Sequence, residues 1–316
     1  MTEGKHNNTH PTLPLSWIKT PKNKIEFEDI PLLPDVHWTS LAKVPKQIHA
    51  ETILKEIVED FSPKTIIRGC NLTISNYLKE EGFDRLFIGR EAILEFDKNH
   101  FAKKSLKELV KRGSKYGTVK ELQFNKENAE KIEAFKNFEC THSSEPQLRH
   151  LYFTSFVEGT RMFVIETTGK RWLAAIQIST NSRYKYHTEL LLRKKNAPVG
   201  VMEYLIYSVF GILKSTGYSE WSLGEVPFVI NYETVKKYSK DYFVNKIGQL
   251  IQFAYNYKGL YNFKNKFNPR WDDLYICANP KVKLIYIAQF IFKSNLHKLI
   301  AFKSRKFFKK SSLKRK

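Results

Sequence analysis

The stretch from Tyr184 to Val226 constrains the fold most tightly, because a strand, a loop, a helix and a second strand follow one another within it. The segments "YKYHTELLLR" and "SEWSLGEV" are both typical of strands. Between them, apolar residues recur at helical spacing and the run closes at Gly217; they are Val201, Met202, Leu205, Ile206, Val209, Phe210 and Leu213. This alternation predicts a mixed α/β architecture.

The rest of the chain repeats the alternation. "AETILKEIVEDF", "LTISNYLKEEGF" and the basic "KKSLKELVKRGSKYG" predict helices, the last ending at Gly113 or Gly117. "DRLFIGREAILEF" predicts a strand, a turn at Gly89 and another strand, and "MFVIETTGKRWLAAIQIST" predicts a hairpin through Gly169. We therefore expect hairpin-rich sheets flanked by a few helices in each half of the chain.

The length of 316 residues favours two compact units, since single cores tend to stop growing near that size. Residues 1–45 carry six prolines among polar residues, which predicts an extended arm that either wraps the body or stays mobile. We place the first domain at residues 46–150 and the second at 151–280. A basic tail follows at 281–316.

Charge distinguishes that tail from the rest of the chain. The tail holds 12 Lys or Arg residues and no acidic residue, interleaved with large apolar side chains, which is typical of an interfacial membrane anchor. The whole chain has a formal charge of +21, which attracts polyanions such as nucleic acid and anionic membranes.

No uninterrupted apolar run approaches the length of a membrane span. Three cysteines without close spacing favour a reduced, cytosolic chain and no metal site.

A candidate phosphate site lies where the strand ending at Arg193 meets the next helix. A cationic loop follows that strand, and Pro198 suits the first turn of a helix because it needs no hydrogen-bond partner there. Free amides at the helix start would bind phosphate with help from Gly200, Lys194 and Lys195. An ordinary strand-to-helix connection with solvated lysines is the alternative reading.

Two carboxylates flank this loop, those of Glu189 and Glu203, and they are the natural candidates for a general acid or base. A glutamate on the surface of a strand or helix without any catalytic role is the alternative reading for each. The segment "FAYNYKGLYNFKNKFNPRW", Phe253 to Trp271, combines aromatic and cationic residues in a way that suits phosphate contact with stacking. Core aromatics beside a solvated lysine face would give the same pattern. Motifs of zinc hydrolases, of serine hydrolases with a nucleophile elbow and of P-loop enzymes are absent from the sequence.

Several blocks together resemble the phosphatidylglycerol lysyltransferase family, the catalytic carboxy-terminal region of multiple peptide resistance factor. They are "EGFDRLFIGREAIL" with the basic helix after it, "NAPVGVMEYLIYSVF" with "GYSEWSLGEVP", and "YNYKGLYNFKNKFNPRWDDLYICA". The resemblance spans about residues 65–280 in the family's order. It implies tandem GNAT-like acyltransferase domains, each a mostly antiparallel mixed sheet flanked by helices. It also implies transfer of an aminoacyl group from charged tRNA to a lipid hydroxyl, typically that of phosphatidylglycerol.

The resemblance implies site residues as well. Arg193 matches an active-site position, and with Lys258 it is expected to act electrostatically, with Glu189 or Glu203 as base. The expected substrate-binding residues are Lys194, Asn196, Pro198, Gly200, Tyr257, Gly259, Lys264, Lys266, Arg270 and Trp271. Family members commonly carry an Asp three residues before the Arg, where this sequence has Leu190. Glu189 replaces that acid only if a bulge or a register shift intervenes.

We expect no cofactor and no metal, with aminoacyl-tRNA as co-substrate. The expected partners are charged tRNA, an anionic phospholipid membrane on whose cytoplasmic face the chain sits peripherally, and a separate flippase. Two alternatives stay open: a GNAT-like N-acyltransferase that uses acyl-coenzyme A, and a non-catalytic basic protein that binds RNA or membrane. The missing Asp also leaves open a different donor or acceptor, or loss of activity.

Overall fold

One continuous mixed sheet organises the chain. A computed structural model describes residues 12–32, 36–60, 64–229 and 239–313. Within them, the strands are β1 (Trp17–Thr20), β2 (Glu26–Pro31), β3 (His37–Pro45), β4 (Thr65–Cys70), β5 (Asp84–Glu95), β6 (Thr118–Leu122), β7 (Arg161–Glu166), β8 (Trp172–Thr180), β9 (Lys185–Arg193), β10 (Glu220–Pro227) and β11 (Arg270–Ala278). The helices are α1 (Ala50–Asp60), α2 (Leu72–Glu80), α3 (Lys104–Gly113), α4 (Lys126–Ala134), α5 (Val201–Lys214), α6 (Lys240–Ile251), α7 (Tyr257–Asn265), α8 (Leu284–Lys293) and α9 (Leu296–Leu313).

The strand order is β1-β3-β4-β11-β5-β10-β9-β8-β7-β6, and β2 pairs with β3 off this path. Most neighbours run antiparallel, and the parallel pairs are β1 with β3, β3 with β4, and β9 with β10. The predicted fold class, mixed α/β with a mostly antiparallel sheet flanked by helices, is thus confirmed.

Helices cover both faces of the sheet. Alternate residues of each strand point to opposite faces, and in the central strands both sets are apolar and need to be covered. In β7, Phe163 and Ile165 join the cluster under α5, whereas Met162 and Val164 join the cluster under α4. In β4, Ile67 packs with α1 and α2, whereas Ile66 packs with residues of α6 and α8. The face that carries α4, α6 and α8 is the one on which the candidate site opens.

The predicted turn at Gly89 is wrong, since β5 runs through it without interruption from Asp84 to Glu95. Gly89 is needed there for a close approach. A side chain at this position would place its Cβ 2.4 Å from the carbonyl oxygen of Val226 on the neighbouring β10. In the sequence, a glycine required by close packing against another strand cannot be distinguished from a glycine that forms a turn.

Much of the predicted amino-terminal arm lies in the sheet, because residues 17–45 contribute β1, β2 and β3; residues 1–11 and 33–35 lie outside the described residues. The sheet also joins the two halves of the chain. Strand β11, from the predicted second domain, inserts between β4 and β5 of the predicted first domain. The domain boundaries therefore remain a prediction.

Candidate active site

The site lies where two parallel strands separate. Strands β9 and β10 pair only over Lys185–His187 and Glu220–Ser222. Beyond this point both strands line a cleft of about 1170 Å³. The separation follows from an irregularity in β10 between Ser222 and Glu225, where Gly224 adopts a left-handed conformation with φ of 88°. Polar side chains at this end of the cleft are Arg68, His187, Glu189, Arg193, Glu203, Glu225, Lys264 and Lys266.

Glu189 is buried in the wall of the cleft, with 4% of its surface exposed. Its Oε1 accepts a hydrogen bond of 2.7 Å from the Ser179 hydroxyl. Its Oε2 is also buried and has no hydrogen-bond partner within the described part of the chain. A buried carboxylate oxygen without a partner is costly, so it marks a position where a ligand can donate a hydrogen bond.

A bulge brings Glu189 onto the face that Leu190 occupies. Gln177 of β8 lies opposite Leu190, but the next residue, Ile178, lies opposite Thr188, so Glu189 is the extra residue in β9. Accordingly, Thr188 bonds to Trp221 on one side of the sheet, while Leu190 packs in the cluster on the other side. The bulge that the sequence required before Glu189 could stand in for the expected Asp is therefore present.

A buried network of charges stands behind Glu189. Lys185 Nζ lies 2.6 Å from Glu91 Oε2, and His187 Nδ1 lies 3.6 Å from Glu91 Oε1. On its other side, His187 Nε2 lies 3.9 Å from Glu189 Oε1. Burial raises the pKa of the Glu91 carboxyl, but the Lys185 ammonium and His187 outweigh burial and hold that pKa well below its ordinary range. Glu91 is therefore ionised at neutral pH.

Lys264 enters the cleft from the last turn of α7. Only 4% of it is exposed, and its Nζ donates a hydrogen bond of 2.9 Å to the Glu225 carbonyl. It also adjoins Gly224, at which an added Cβ would lie 3.4 Å from Nζ. Burial lowers the pKa of Lys264 to about 7, although the Glu225 and Glu91 carboxylates act in the opposite direction. Near neutral pH this amine both carries and releases a proton.

Only some residues of the predicted phosphate-binding loop after β9 line the cleft. Arg193 ends the strand, and its Nη2 donates a hydrogen bond of 2.7 Å to the Ala197 carbonyl, which closes the loop. Pro198 and Gly200 also line the cleft. Gly200 packs closely on α3, since a Cβ added to it would lie 2.2 Å from the Leu109 carbonyl oxygen.

Two further ion pairs line the cleft. Glu203, in the first turn of α5, accepts a hydrogen bond of 2.8 Å from Lys266 Nζ, so both residues already have a partner. Glu225 pairs with Arg68, whose other Nη donates 3.1 Å to the Leu151 carbonyl. Of the two predicted acids, Glu189 is thus the one with a free buried oxygen.

Other predicted site residues lie outside the cleft lining; they are Lys194, Asn196, Tyr257, Lys258, Gly259, Arg270 and Trp271. Lys194 pairs with Glu139 at 2.5 Å, and Arg270 bonds to Asp272, Glu95 and Glu220 at 2.9 to 3.0 Å. Trp271 stacks on Tyr261, with ring centroids 4.7 Å apart.

The remaining members of this group have local roles. Tyr257 packs edge to face on Phe228, Asn196 occupies a left-handed turn with φ of 60°, and the Gly259 amide is capped by Asn256 at 2.9 Å. Lys258 is exposed in the first turn of α7. Their substrate-binding and catalytic roles stay predictions.

Sequence reasoning missed Glu91, Lys185, His187, Arg68 and Glu225. One signal was present, because Lys185, His187 and Glu189 alternate along a single strand and should share one face. Glu91 lies 94 residues from Lys185, and Arg68 lies 157 residues from Glu225. No local pattern identifies partners at such separations.

The described residues contain neither a membrane-spanning helix nor a metal-binding cluster. Among them, no helix combines the length and the apolar character needed to cross a bilayer. No group of three or more His, Cys, Asp or Glu side chains in that part of the chain is arranged to hold a metal ion.

Comparison with known proteins places this chain in a class, that of acyltransferase-type enzymes. The model of the family "Phosphatidylglycerol lysyltransferase, C-terminal" matches residues 53–278. The chain belongs to this family, and so it contains a domain of the lysyl-phosphatidylglycerol synthetase type. Helices α8 and α9 follow the matched segment. Comparison with curated proteins gives no match.

Two solved structures share the fold. One is L-PGS from Bacillus licheniformis, with a TM-score of 0.62, 16% identity, and coverage of 87% of this chain and 86% of that chain. The other is the C-terminal domain of a protein assigned as a lysylphosphatidylglycerol synthetase from Agrobacterium fabrum. It has a TM-score of 0.59, 16% identity, and coverage of 83% of this chain and 82% of that chain. At this level of identity the likeness establishes the fold alone.

Proposed function

We propose that this chain transfers an aminoacyl group from charged tRNA to the hydroxyl of an anionic membrane lipid such as phosphatidylglycerol. The observation that carries the proposal is the pairing, in one cleft, of a buried carboxylate oxygen without a partner and a buried lysine that titrates near neutral pH. Family membership supports the reaction class. These two groups support its mechanism, because acyl transfer needs one proton removed and one supplied.

The donor ester is already activated, so the protein must chiefly position the reactants and manage protons and charge. Glu189 Oε2 takes the proton of the lipid hydroxyl while the oxygen of that hydroxyl forms a bond to the carbonyl carbon of the donor ester. The bond from that carbon to the ribose oxygen of tRNA then breaks. Lys264 gives its proton to the ribose oxygen, and exchange with solvent restores both groups.

Arg193 supplies positive charge at the mouth of the cleft. One of its N–H groups holds the loop through Ala197. We assign to the others the stabilisation of negative charge on the carbonyl oxygen in the transition state. His187 and the ionised Glu91 position Glu189 from behind. The His187 ring lies between the two carboxylates, 3.6 Å from Glu91 and 3.9 Å from Glu189, and both distances are longer than a hydrogen bond.

The charge of the chain suits both substrates. The formal charge of +21 attracts the polyanionic donor and the anionic surface that carries the acceptor. We accordingly place the chain at the cytoplasmic face of the membrane as a peripheral protein, with charged tRNA as its soluble partner. A separate flippase would move the product across the bilayer.

Reconstitution with purified components tests the proposal. The full chain is mixed with tRNA charged with labelled amino acid and with phosphatidylglycerol vesicles, and label is counted in the organic extract. We expect extractable label that depends on the protein and disappears when the tRNA is digested beforehand. Extractable label obtained only from an acyl-coenzyme A donor would favour the N-acyltransferase alternative, and tRNA and vesicle binding without transfer would favour the non-catalytic one.

A further inference from the structure

The rim at the apolar end of the cleft carries an unusual set of exposed side chains. We define this rim as α6, the turn after it, and α8. It holds six of the fourteen large apolar side chains exposed among the described residues, and these are Phe243, Leu250, Phe253, Leu284, Ile285 and Phe292. Isolated exposed apolar residues are common, but a concentration on two helices that line one cleft indicates an interaction surface.

Both helices of the rim are apolar on two sides. The inner sides line the cleft with Val244, Ile247 and Ile251 of α6 and with Ile287, Phe290 and Ile291 of α8. Val244 and Phe290 belong to one buried cluster, so both helices pack over the same part of the sheet. The cleft and the cluster account for the apolar residues on the inner side of each helix, and the exposed apolar residues need a separate explanation.

The outer side of α8 shows this most clearly. Four of its five exposed positions are apolar, namely Leu284, Ile285, Ala288 and Phe292, and the fifth is Lys293 at the end of the helix. Helix α6 exposes Phe243 and Leu250 together with Lys240, Lys246 and Gln249. A helix on a water-exposed surface usually carries polar residues at most of its exposed positions, which α8 does not.

Charge around the rim limits the nature of its partner. Exposed lysines flank α8 at Lys281, Lys283 and Lys293, and α6 carries exposed Lys246. The chain has no Asp or Glu from residue 279 to its end. Apolar side chains surrounded by cations are the arrangement by which a helix binds the interface of an anionic bilayer.

We propose that this rim is the surface by which the protein docks on an anionic bilayer, with its outward apolar side chains inserted among the headgroups. The inference rests on the proposed function and deepens it, because it places the cleft mouth directly at the acceptor. It also narrows the expected anchor from the whole basic tail, residues 281–316, to the first helix of that tail, α8, and adds α6. In α9 the apolar Leu299 is buried, and Lys303 pairs with Glu145 at 2.5 Å.

The test must keep the fold intact. Truncation after Pro280 is unsuitable, because Phe290 of α8 stacks on the buried Trp38 with ring centroids 4.0 Å apart. The rim variant is instead Leu250→Ser with Phe292→Ser, two side chains that are 75% and 64% exposed. The matched control is Leu72→Ser with Phe138→Ser, which are 52% and 79% exposed on other parts of the surface.

Flotation with vesicles in the absence of tRNA is the measurement. We expect the wild-type chain and the control variant to float with phosphatidylglycerol vesicles and not with phosphatidylcholine vesicles. The rim variant should partition about tenfold less, since insertion depends on buried apolar groups. Circular dichroism checks that all three chains are equally folded.

Three results would overturn the inference. The first is equal flotation of the rim variant and the wild type, and the second is equal binding to both kinds of vesicle. The third is a wild-type dimer in solution that the rim variant turns into a monomer, since the rim would then join two copies. Flotation needs no catalysis, so a failure of aminoacyl transfer leaves this result readable by itself.

Discussion

Glu189 has a buried oxygen that is free for a substrate, which makes it the decisive residue of the cleft. Glu189→Gln keeps the size of the side chain and its hydrogen bond with Ser179 but removes the proton acceptor. We expect transfer to fall by about 100-fold or more, the usual scale for loss of a general base, with tRNA affinity nearly unchanged. Initial rates of lipid labelling and tRNA filter binding measure the two quantities.

Glu203→Gln, measured in parallel, separates the two candidate acids. It breaks the pair with Lys266 but leaves Glu189 in place. A rate that survives Glu189→Gln and is lost in Glu203→Gln would reverse the assignment.

Burial of Lys264 makes the stability of the folded protein depend on pH. Folding depresses the pKa of Lys264 from its ordinary 10.5 to about 7. Between these values the unfolded chain binds more protons, so stability rises with pH, and the cost of burying the amine is largest at and below about pH 7.

Replacement by methionine should remove this dependence. We expect the free energy of unfolding of Lys264→Met, relative to wild type, to be highest near pH 7. The difference should then shrink by roughly 1 kcal/mol per pH unit toward about pH 9. Urea unfolding across this range is the measurement, and a difference that stays constant with pH would show that the buried lysine keeps its ordinary pKa.

At the residue scale, the sequence predicted part of the site. Glu189, Arg193, Glu203, Lys264 and Lys266 were expected, and the structure brings them to one cleft. The bulge that orients Glu189 could not be predicted, because it depends on how β8 pairs with β9 and not on any local signal. The depressed pKa of Lys264 likewise arises only from the tertiary burial of its amine.

At the scale of the elements, the contact between α3 and α5 positions the loop after β9. The helices meet through glycines, and a Cβ on Gly113 would lie 2.2 Å from the Gly200 carbonyl oxygen. Gly113 has φ of −61°, so alanine would be strained by this contact and not by the backbone conformation.

Gly113→Ala should therefore destabilise the protein by about 1–3 kcal/mol, the usual cost of overpacking. Gly211→Ala is the matched control, since it lies within α5 and a Cβ there would meet nothing within 4 Å. That change should stabilise the protein by about 0.4–1 kcal/mol. Thermal or urea unfolding compares the two, and equal effects of both substitutions would contradict the close contact.

Elements whose residues show a clear hydrophobic periodicity were predicted correctly. Features that depend on contacts with distant parts of the chain were not. The helical periodicity of α1, α2, α3 and α5 appears in the sequence because each helix buries one face. The turn expected at Gly89 failed because a neighbouring strand, far away in the sequence, requires the glycine. The helix α7 was read only as an aromatic and cationic segment suited to packing on a sheet.

At the scale of the whole molecule, the two halves of the chain share one sheet. The sequence indicated two units of similar plan, but it carries no local sign that β11 returns to lie between β4 and β5. This crossing brings α7, and therefore Lys264, next to the separated ends of β9 and β10. The cleft is thus a product of the topology, because residues from both halves of the chain line it.

The central claim is that this cleft aminoacylates a lipid, and mass spectrometry of lipids tests it most directly. Lipids are extracted from cells that produce the wild-type chain, cells that produce Glu189→Gln at an equal level, and cells without either. The account predicts an anionic phospholipid enlarged by the mass of one aminoacyl residue in the wild-type extract alone. Identical lipid profiles in all three extracts, with folded protein present at the membrane, would contradict it.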